Sequence, residues 1–388
     1  MGSDITRNSK VSESQRCLGC KVPRCKDACP VGCDIPNFLH LVALGQQEKA
    51  VELIGHPFGE ICGHVCPHDE TCFGNCVLSK NGQAVQMGTV ESAVFAECPY
   101  KVERKGNSAM LKVAVVGGGV AGITFAVKMY EQGAHVTVYE KDELLSTLKL
   151  IPSFRLPRKA IERIEREIGG KFAVVKQDVT SQVFDRLQQQ YDIVYLATGA
   201  SAPYRLDIVG QELATPYDKF LKTTKFDGEV VVIGGGNTAM DCARLAKRNG
   251  CKATVAYRRD RNDMPAFAKE IVQAQNEGVD FVFNVAPVKL ERKDGRLLLT
   301  VAKTVSEGRA KLTVTDEKSQ IVCDTVVSAL GSGFDKSIFG EKLLGDDLKH
   351  PLDKVYVGGD AVGGKIVAKA VADAIQATKV ILLQNNEL

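Results

Sequence analysis

The stretch that most constrains this fold is residues 112–140, KVAVVGGGVAGITFAVKMYEQGAHVTVYE, which contains the parts of a nucleotide-binding βαβ unit in order. An aliphatic run predicts a buried parallel strand, and Gly117, Gly119 and Gly122 then form GxGxxG where a helix opens. These glycines allow a tight turn, close approach of a pyrophosphate, and helix-to-strand packing. The second strand ends at Glu140, whose carboxylate can accept hydrogen bonds from a ribose diol. The whole pattern favours a dinucleotide site over a purely structural glycine turn.

Length and charge exclude several classes of function. A chain of 388 residues suggests two or three domains, and its formal net charge of +3 is too small to indicate nucleic-acid binding. The N-terminal segment lacks the apolar core of a signal peptide, and no run approaches the roughly 18 apolar residues that span a bilayer. We therefore expect a cytoplasmic protein that binds neither nucleic acid nor membrane.

The cysteines are concentrated near the N-terminus. Nine of the 13 lie in residues 17–76. They form two groups: Cys17, Cys20, Cys25, Cys29 and Cys33, then Cys62, Cys66, Cys72 and Cys76. Thiolates a few residues apart, two of them followed by proline, are typical of iron–sulfur ligation. Tetrahedral zinc usually takes paired CxxC units, and CxxC occurs once here. Iron–sulfur clusters are favoured, with zinc and buried inert thiols as alternatives.

Other segments indicate packing and domain boundaries. Asp34 can cap a helix that has Pro36 at its start, and a second amphipathic helix is expected from Pro157 onward. Residues 99–110 are polar and contain Pro, Gly, Asn and Ser, which is typical of a linker. We therefore expect a domain boundary near residue 108.

A second nucleotide unit begins with a strand at Val230–Ile233. Its glycine-rich turn and helix start contain Gly234, Gly236, Asn237 and Thr238, and Ala253–Tyr257 is the following strand. Where the first unit has Glu140, this one has Arg258 and Arg259. Paired arginines at a strand end can bind a 2′-phosphate, so NADPH is favoured over NADH, with a solvated charge pair as the alternative.

Two further strands run into small-residue turns. Asp192–Leu196 leads into a turn containing Thr198 and Gly199, which lets backbone pass close to a cofactor. A later strand leads into Gly359 and Asp360 before a helix expected from about Lys365, so Asp360 could meet a ribityl hydroxyl. Residues 279–327 alternate in strand fashion around the turn Asp294–Gly295, which predicts antiparallel β structure that closes the second nucleotide domain.

Together these motifs resemble one known family. The most specific are CxxCxxxxCxxxCP from Cys17, HVCPxxxxxCxxxC from His64, IPSFRLP at 151–157, GGGNTAMD at 234–241 and AYRRDRNDMPA at 256–266. The chain resembles the glutamate synthase small-subunit family, which includes the flavin half of dihydropyrimidine dehydrogenase and the large subunit of NADH-dependent ferredoxin:NADP oxidoreductase. The resemblance covers nearly the whole chain.

The resemblance implies an α/β fold with two Rossmann-like dinucleotide-binding domains preceded by an α-helical iron–sulfur domain. It implies two 4Fe–4S clusters in residues 1–108, FAD in 109–203 with 323–388, and NADPH in 204–322. Arg155, in IPSFRLP, is counted among the cofactor-binding residues. One cluster would take Cys17, Cys20, Cys25 and Cys76, and the other Cys29, Cys66, Cys72 and Glu91. The alternative is a solvated Glu91, with Cys62 or Cys33 as the true ligand.

The chain departs from the family beside the flavin. The segment after Glu140 is short, and Leu144, Leu145 and Leu150 stand where the family carries glycine. Side chains at these positions are expected to restrict close approach of backbone to the isoalloxazine ring.

The resulting hypothesis is an electron-input subunit. Electrons from NADPH would pass through FAD and the clusters to a larger catalytic or electron-accepting subunit, and the hydride step requires no acid or base from the protein. A disulfide reductase is disfavoured, because no cysteine lies between Cys98 and Cys242, and Cys242 and Cys251 are not a CxxC pair. The alternative from another class is a redox-sensing or scaffold protein that keeps the fold with little turnover.

Overall fold

A computed structural model of the chain describes residues 7–106, 111–225, 227–307, 311–335, 337–338 and 354–386. The chain forms two compact units. The first contains 1–149, 153–201 and 334–388, and the second contains 150–152 and 202–333. The domain boundary expected near residue 108 lies outside the described residues.

The helices are α1 (Arg7–Gln15), α2 (Arg24–Asp27), α3 (Ile35–Ala43), α4 (Gln47–Ile54), α5 (Gly59–Val65), α6 (Met87–Glu97), α7 (Val120–Glu131), α8 (Ser146–Lys149), α9 (Arg158–Ile168), α10 (Ser181–Gln190), α11 (Tyr217–Lys222), α12 (Asn237–Arg248), α13 (Ala268–Asn276) and α14 (Val367–Asn386). The strands are β1 (Lys112–Val116), β2 (His135–Glu140), β3 (Ala173–Lys176), β4 (Ile193–Leu196), β5 (Ala202–Pro203), β6 (Thr215–Pro216), β7 (Glu229–Ile233), β8 (Lys252–Tyr257), β9 (Asp280–Phe283), β10 (Val285–Lys293), β11 (Arg296–Glu307), β12 (Lys311–Cys323), β13 (Thr325–Ser328), β14 (Ser332–Gly333) and β15 (Val355–Val357).

The N-terminal part of the first unit is helical. As predicted, α3 is capped by Asp34, whose side chain accepts from the backbone N–H of Asn37 at 3.5 Å. Helices α5 and α6 cross closely at two glycines. A Cβ on Gly63 would lie 2.5 Å from the carbonyl oxygen of Gly88. This close crossing brings the helix that carries Cys62 against the helix that carries Glu91.

The first nucleotide fold is a five-stranded parallel sheet in the order β15-β4-β1-β2-β3. Its register pairs Val116 with both Tyr139 and Leu196, and Leu196 with Val357. Strands in a parallel sheet all end at the same edge, so the turns after β1, β4 and β15 meet there. This parallel sheet, with helices on both faces, confirms the α/β prediction.

The sheet has a separate apolar core on each side. On one face α7 and α14 contribute buried Phe125, Met129 and Ile381. On the other face α10 contributes Phe184 and Leu187. Burial of two sheet faces explains the continuous aliphatic sequence of β1.

The described part of the predicted linker, residues 99–106, is tied to the end of α7. The hydroxyl of Tyr100 donates to the Glu131 carboxylate at 2.5 Å. The backbone N–H groups of Lys105 and Gly106 each donate to the Glu131 carbonyl oxygen at 2.7 Å. The last four residues of the predicted linker, 107–110, lie outside the described residues.

An ion pair joins the helical part of the first unit to its nucleotide fold. The Arg163 guanidinium on α9 donates through Nε at 2.8 Å, and also through Nη2, to the buried carboxylate of Glu60 on α5. Both oxygens of that carboxylate are engaged, so the desolvated charge is compensated.

Replacing Arg163 by Ala is expected to lower the free energy of unfolding by about 3 kcal/mol, because the buried Glu60 charge would lose its partner. Anaerobic urea unfolding measures this change. Arg166→Ala, at an exposed position of the same helix, is the control and is expected to change it by less than about 0.5 kcal/mol. Equal effects of the two substitutions would contradict the assignment.

The second unit is built on another five-stranded sheet, in the order β6-β13-β7-β8-β9. Its pairs are parallel, and Ile233 at the end of β7 lies beside Ala256 and Ser328. Helix α12 packs on it through buried Met240 and Cys242. This is a second βαβ unit, as the sequence predicts.

The prediction of antiparallel structure over residues 279–327 is wrong at both ends of that range. In the described part of this range, only β10, β11 and β12 are antiparallel, with the predicted turn at Asp294–Gly295. Strands β9 and β13 instead join the parallel sheet, where Val327 and Val326 are fully buried. Alternation of apolar and polar residues indicates that a strand is half buried, but it does not indicate whether the neighbouring strand is parallel or antiparallel.

Candidate cofactor sites

The turn after β1 has the backbone that a dinucleotide needs. Gly117 has a φ of 105°, and a Cβ there would lie 2.3 Å from the Ala197 carbonyl oxygen. A Cβ on Gly122 would lie 1.9 Å from the Gly117 carbonyl oxygen. At Gly119 an added Cβ meets no atom within 4 Å. Two of the glycines therefore serve packing, while Gly119 leaves open space at the N-terminus of α7, where a phosphate can approach.

Glu140 lies directly beside this turn. Its Oε2 accepts from the backbone N–H of Gly118 at 2.6 Å, and its Oε1 accepts from that of Asp142 at 2.8 Å. The side chain is therefore held in one orientation. Each carboxylate oxygen has a second lone pair, so both can still accept from a ribose diol.

The turn after β4 presents a buried polar atom with no protein partner. Thr198 Oγ1 is buried, and no hydrogen bond reaches it from the described residues. Gly199, the next residue, has a φ of 65°. A buried hydroxyl without a partner is costly, so this position fits a ligand that supplies a hydrogen bond.

The turn after β15 is held by a residue that the sequence reasoning missed. The backbone N–H of Gly359 donates to Asp373 on α14 at 3.2 Å, and Lys369 pairs with the same carboxylate at 2.6 Å. Gly359 has a φ of 74°, while Asp360 accepts from the backbone N–H of Lys365 at 2.9 Å. The sequence signal for Asp373 was its position four residues after Lys369 on the helix that follows the turn, where the two side chains can pair.

The segment after Glu140, where the family resemblance places glycines, shows how the leucines fit. Leu145 has a φ of 56° and a fully buried side chain, so it adopts the left-handed backbone that glycine favours. A Cβ on Gly118 would lie 2.4 Å from Leu144 Cδ2, so that leucine covers the turn after β1. Leu150 and Arg155, further along, are both partly buried. Leu145 thus keeps a backbone conformation that glycine favours, while the Leu144 side chain fills space beside the turn after β1.

The second glycine turn follows β7. Gly234 has a φ of 140°, and a Cβ there would lie 2.2 Å from the Ala329 carbonyl oxygen. At Gly236, as at Gly119, nothing lies within 4 Å of an added Cβ. Asn237 and Thr238 begin α12, and Asn237 Oδ1 accepts from the backbone N–H of Phe267 at 2.9 Å.

Arg258 and Arg259 follow β8 and begin a loop that folds over this turn. The Tyr257 ring lies against Gly235, and the Ala266 N–H donates to the Gly235 carbonyl oxygen at 3.0 Å. The Arg258 side chain is exposed, and its carbonyl oxygen accepts from Thr304 Oγ1 at 2.8 Å. Arg259 is partly buried. An anchored backbone with an exposed guanidinium suits recognition of a phosphate.

The first group of thiols brings together the two ends of the cysteine-rich segment. Burial raises the pKa of Cys17, and the neighbouring Cys20 and Cys76 raise it further. Burial likewise raises the pKa of Cys25 to about 11, with contributions from Cys17 and Cys76. Cys76 is thus a neighbour of Cys17 and Cys25, although more than fifty residues separate it from each of them.

The second group of thiols surrounds Glu91 on α6. Burial raises the pKa of Cys72, and Glu91, Cys66 and Cys29 raise it further. Glu91 itself is 6% exposed, and burial followed by the charge of Cys29 raises its pKa well above the usual range. The solvated Glu91 of the alternative is therefore wrong, whereas its choice of Cys62 or Cys33 as the ligand stays a prediction.

Cys33 and Cys62 belong to the same neighbourhood. Both are buried, and Glu91 raises the pKa of each beyond the effect of burial. A hydrogen bond from Cys33 lowers the pKa of Cys29 to about 6. Six potential donors therefore surround a site for which the resemblance implies four.

The donor chemistry of both groups fits iron–sulfur clusters. Several buried groups that become anionic on ligation are stable together only when a cationic centre compensates them. No three His, Cys, Asp or Glu side chains of the described ranges converge on one ion position. A cubane carries a separate iron for each thiolate, so its ligands need no common point. The Thr71 hydroxyl, which sequence reasoning missed, lies 3.7 Å from Cys66 Sγ.

Comparison with known proteins decides the family. Residues 2–101 match the family model described as dihydropyrimidine dehydrogenase domain II, 4Fe–4S cluster. Residues 111–376 match the pyridine nucleotide-disulphide oxidoreductase family model. The glutamate synthase [NADPH] small chain of Halomonas elongata is 31% identical, over 96% of this chain and 90% of its own length. The chain belongs to the glutamate synthase small-chain family.

Two other proteins support this membership. The glutamate synthase [NADPH] small chain of Escherichia coli is 30% identical, over 96% of this chain and 90% of its own length. Among solved structures, the thioredoxin reductase of Lactococcus lactis aligns with a TM-score of 0.58 and 18% identity, covering 72% of this chain and all of that one. The structural match shows the nucleotide-binding fold alone.

These comparisons confirm two predictions from the sequence, the resemblance to this family and the class of enzyme. The chain is an NAD(P)H-dependent oxidoreductase of the FAD and iron–sulfur type, which favours the iron–sulfur interpretation of the cysteines over zinc. Among the described residues, no helix combines the length and apolar character needed to cross a membrane. Cys242 and Cys251 are both buried and unbridged in the second unit.

Proposed function

We propose that this glutamate synthase small-chain relative is an electron-input subunit that oxidises NADPH and delivers the electrons to a larger catalytic or electron-accepting subunit. The observation that carries the proposal is the separation of the cysteines into two groups within the same compact unit as the first nucleotide fold. Two groups of cysteines in the same unit as this nucleotide fold favour onward electron transfer through clusters over a reaction in which the flavin itself is the last electron donor.

The two sheet edges, each with a glycine turn, support the assignment of the nucleotide sites. We assign FAD to residues 109–201 with 334–388, NADPH to 202–333, and two 4Fe–4S clusters to 1–108. The expected boundary at residue 323 lies too early in the chain, because β13 pairs with β7 in the second sheet. When bound at these sites, NADPH and FAD would supply hydride chemistry and the clusters would supply one-electron chemistry. The open space at Gly119, the orphaned hydroxyl of Thr198 and the exposed Arg258 support this assignment.

The protein's own contribution is orientation and charge. Glu140 is fixed beside the first turn and can hold a ribose, while the N-terminus of α7 favours a phosphate. Asp373 fixes the Gly359 turn, so Asp360 faces the same sheet edge as Thr198. No side chain is required to take up or release a proton in the hydride step. Cysteine usage typical of reducing surroundings supports a cytoplasmic location.

The test is anaerobic turnover of the purified chain. Addition of NADPH is expected to bleach the flavin absorbance and to sustain reduction of menadione, a neutral artificial acceptor. No glutamate is expected from glutamine and 2-oxoglutarate, because the described elements belong to the cysteine-rich segment and the two nucleotide units.

Two outcomes would contradict the proposal. Formation of glutamate by the chain alone would show that it contains the amidotransferase chemistry that we assign to a partner. Flavin binding without bleaching by NADPH would instead favour the redox-sensing or scaffold alternative, for which the buried Leu145 beside the flavin is the structural argument.

A further inference from the structure

Residues 77–90 connect the two cysteine groups. They run from Cys76, a neighbour of the first group, to Glu91, which the second group surrounds. A short 3-10 helix covers Val77–Asn81, and α6 begins a few residues later. Residues 82–86 lie between these two elements and belong to no helix or strand. Because the backbone polar groups of such a segment lack helix or sheet partners, they depend on contacts from elsewhere in the protein.

Two side chains near the end of α1 supply such contacts, and we name them the α1 clamp. Glu13 Oε1 accepts from the backbone N–H of Gln86 at 2.8 Å. Arg16 Nη2 donates to the carbonyl oxygen of Gln83. The two clamp residues also pair with each other, since Arg16 Nη1 donates to Glu13 Oε1 at 2.6 Å. One ion pair therefore holds the connecting segment at two of its backbone groups.

The α1 clamp reaches both cysteine groups. Arg16 directly precedes Cys17 of the first group. Gln86 directly precedes α6, and its own side chain does not cap that helix. Glu13 takes this role from another helix, because its carboxylate accepts the N–H of Gln86 and places a negative charge at the start of α6. Loss of the clamp is therefore expected to loosen both the start of the first group and the turn of α6 that leads to Glu91.

The rest of α1 is anchored independently of the α1 clamp. The Lys10 side chain is fully buried and pairs with Glu97 at the end of α6. Ser14 is buried as well, and its hydroxyl donates to the Lys10 carbonyl oxygen at 2.8 Å. Glu13 and Arg16 are both partly exposed. Substitution of Glu13 is therefore expected to open the clamp while α1 stays in place.

We propose that Glu13 and Arg16 are positioning residues that couple the two iron–sulfur clusters, so that the protein around either cluster opens only when the α1 clamp opens. This inference rests on the proposed function, because it requires a cluster in each cysteine group. A chelator removes iron only after the protein around a cluster has opened locally. With the clamp intact, both clusters lose iron in one common event. Without it, each cluster opens at its own rate.

The experiment measures release of iron from the holoenzyme to excess bathophenanthroline disulfonate without oxygen. Dithionite is present, so that all the released iron is ferrous and binds the chelator. Glu13→Ala removes the clamp, whereas Glu13→Gln keeps an oxygen that can accept from the Gln86 N–H but loses the charge that pairs with Arg16. Glu48→Ala is the control, since Glu48 is exposed on α4 and its loss makes the same change in charge within the helical segment.

The unmodified protein and the Glu48→Ala control are expected to release their iron in one kinetic phase. Glu13→Ala is expected to release iron about tenfold faster, as loss of a helix cap implies, and in two phases of equal amplitude. Glu13→Gln should lie between these limits, because it restores the backbone contact alone. Bleaching of the flavin by NADPH should be the same in all four proteins, since the clamp lies in the cysteine-rich segment.

Other results overturn the inference in distinguishable ways. If the unmodified protein binds the iron of a single cluster, then the two-cluster assignment of the proposed function fails and the coupling fails with it. Two phases in the unmodified protein would show that the clusters open independently. Unchanged release by Glu13→Ala, or equal acceleration by Glu48→Ala, would show that the clamp has no specific role. Faster release by Glu13→Ala in a single phase, with a lower urea midpoint, would show only a general loss of stability.

Discussion

Replacing Glu91 by Ala is expected to remove one of the two iron–sulfur clusters, with loss of roughly half of the bound iron. Glu91 is buried on α6 and lies close enough to Cys29, Cys66 and Cys72 to raise the pKa of the latter two thiols. Removing a ligand of a cluster weakens or abolishes its binding. Iron analysis and low-temperature EPR of the reduced protein measure the loss.

The competing assignment uses cysteines only. Cys33 and Cys62 are equally buried and belong to the same group, so either could complete the second cluster. We expect the Cys33→Ala and Cys62→Ala variants to keep both clusters, since each substitution would remove a thiol that lies near the cluster but is not one of its ligands. If Glu91→Ala leaves both clusters intact and one of these variants loses a cluster, then the carboxylate assignment is wrong.

A conservative variant separates ligation from packing. Glu91→Gln keeps the size and one carbonyl oxygen, so it is expected to retain the cluster with a shifted EPR signal. If Glu91→Gln and Glu91→Ala both lose the cluster while helical content is retained, the charge of the carboxylate is essential. If neither variant changes the iron content or the EPR spectrum, Glu91 is not a ligand.

The positions of the candidate nucleotide sites were predictable because their signals are local. A glycine at φ 105° or 140° follows directly from a strand that turns into a helix, as at Gly117 and Gly234. Since parallel strands end at one edge, the turns that contain Thr198 and Gly359 lie at the same edge as Gly117. Local pattern and topology point to the same edge in both units.

Other features depend on contacts that the pattern does not encode. The parallel direction of β9 and β13 results from pairing with strands elsewhere in the chain. The left-handed backbone of Leu145 is maintained by burial of its side chain, which no local propensity predicts. Asp373 holds the Gly359 turn from a helix that begins after it. Each of these features is set by tertiary packing.

Replacing Arg258 and Arg259 together by Ala is expected to erase a preference for NADPH over NADH. The exposed Arg258 and the partly buried Arg259 follow β8 at the sheet edge where the Gly234 turn opens. A charge-assisted contact to a 2′-phosphate contributes about 1.5 to 3 kcal/mol, which is at least about tenfold in kcat/KM for each arginine. The change should fall on NADPH, because NADH lacks the phosphate.

The measurement is kcat/KM for both nucleotides with menadione as acceptor. Arg261→Ala is the matched control, since this arginine lies in the same loop but donates to Gln275 Oε1 at 3.0 Å. The control should keep the preference of the unmodified protein, and the double variant should bring the two nucleotides within about threefold of each other. Equal kcat/KM for NADH and NADPH in the unmodified protein would show that these arginines form only a solvated charge pair. A similar loss with Arg261→Ala would show that the loop's net charge, rather than a defined contact, selects the nucleotide.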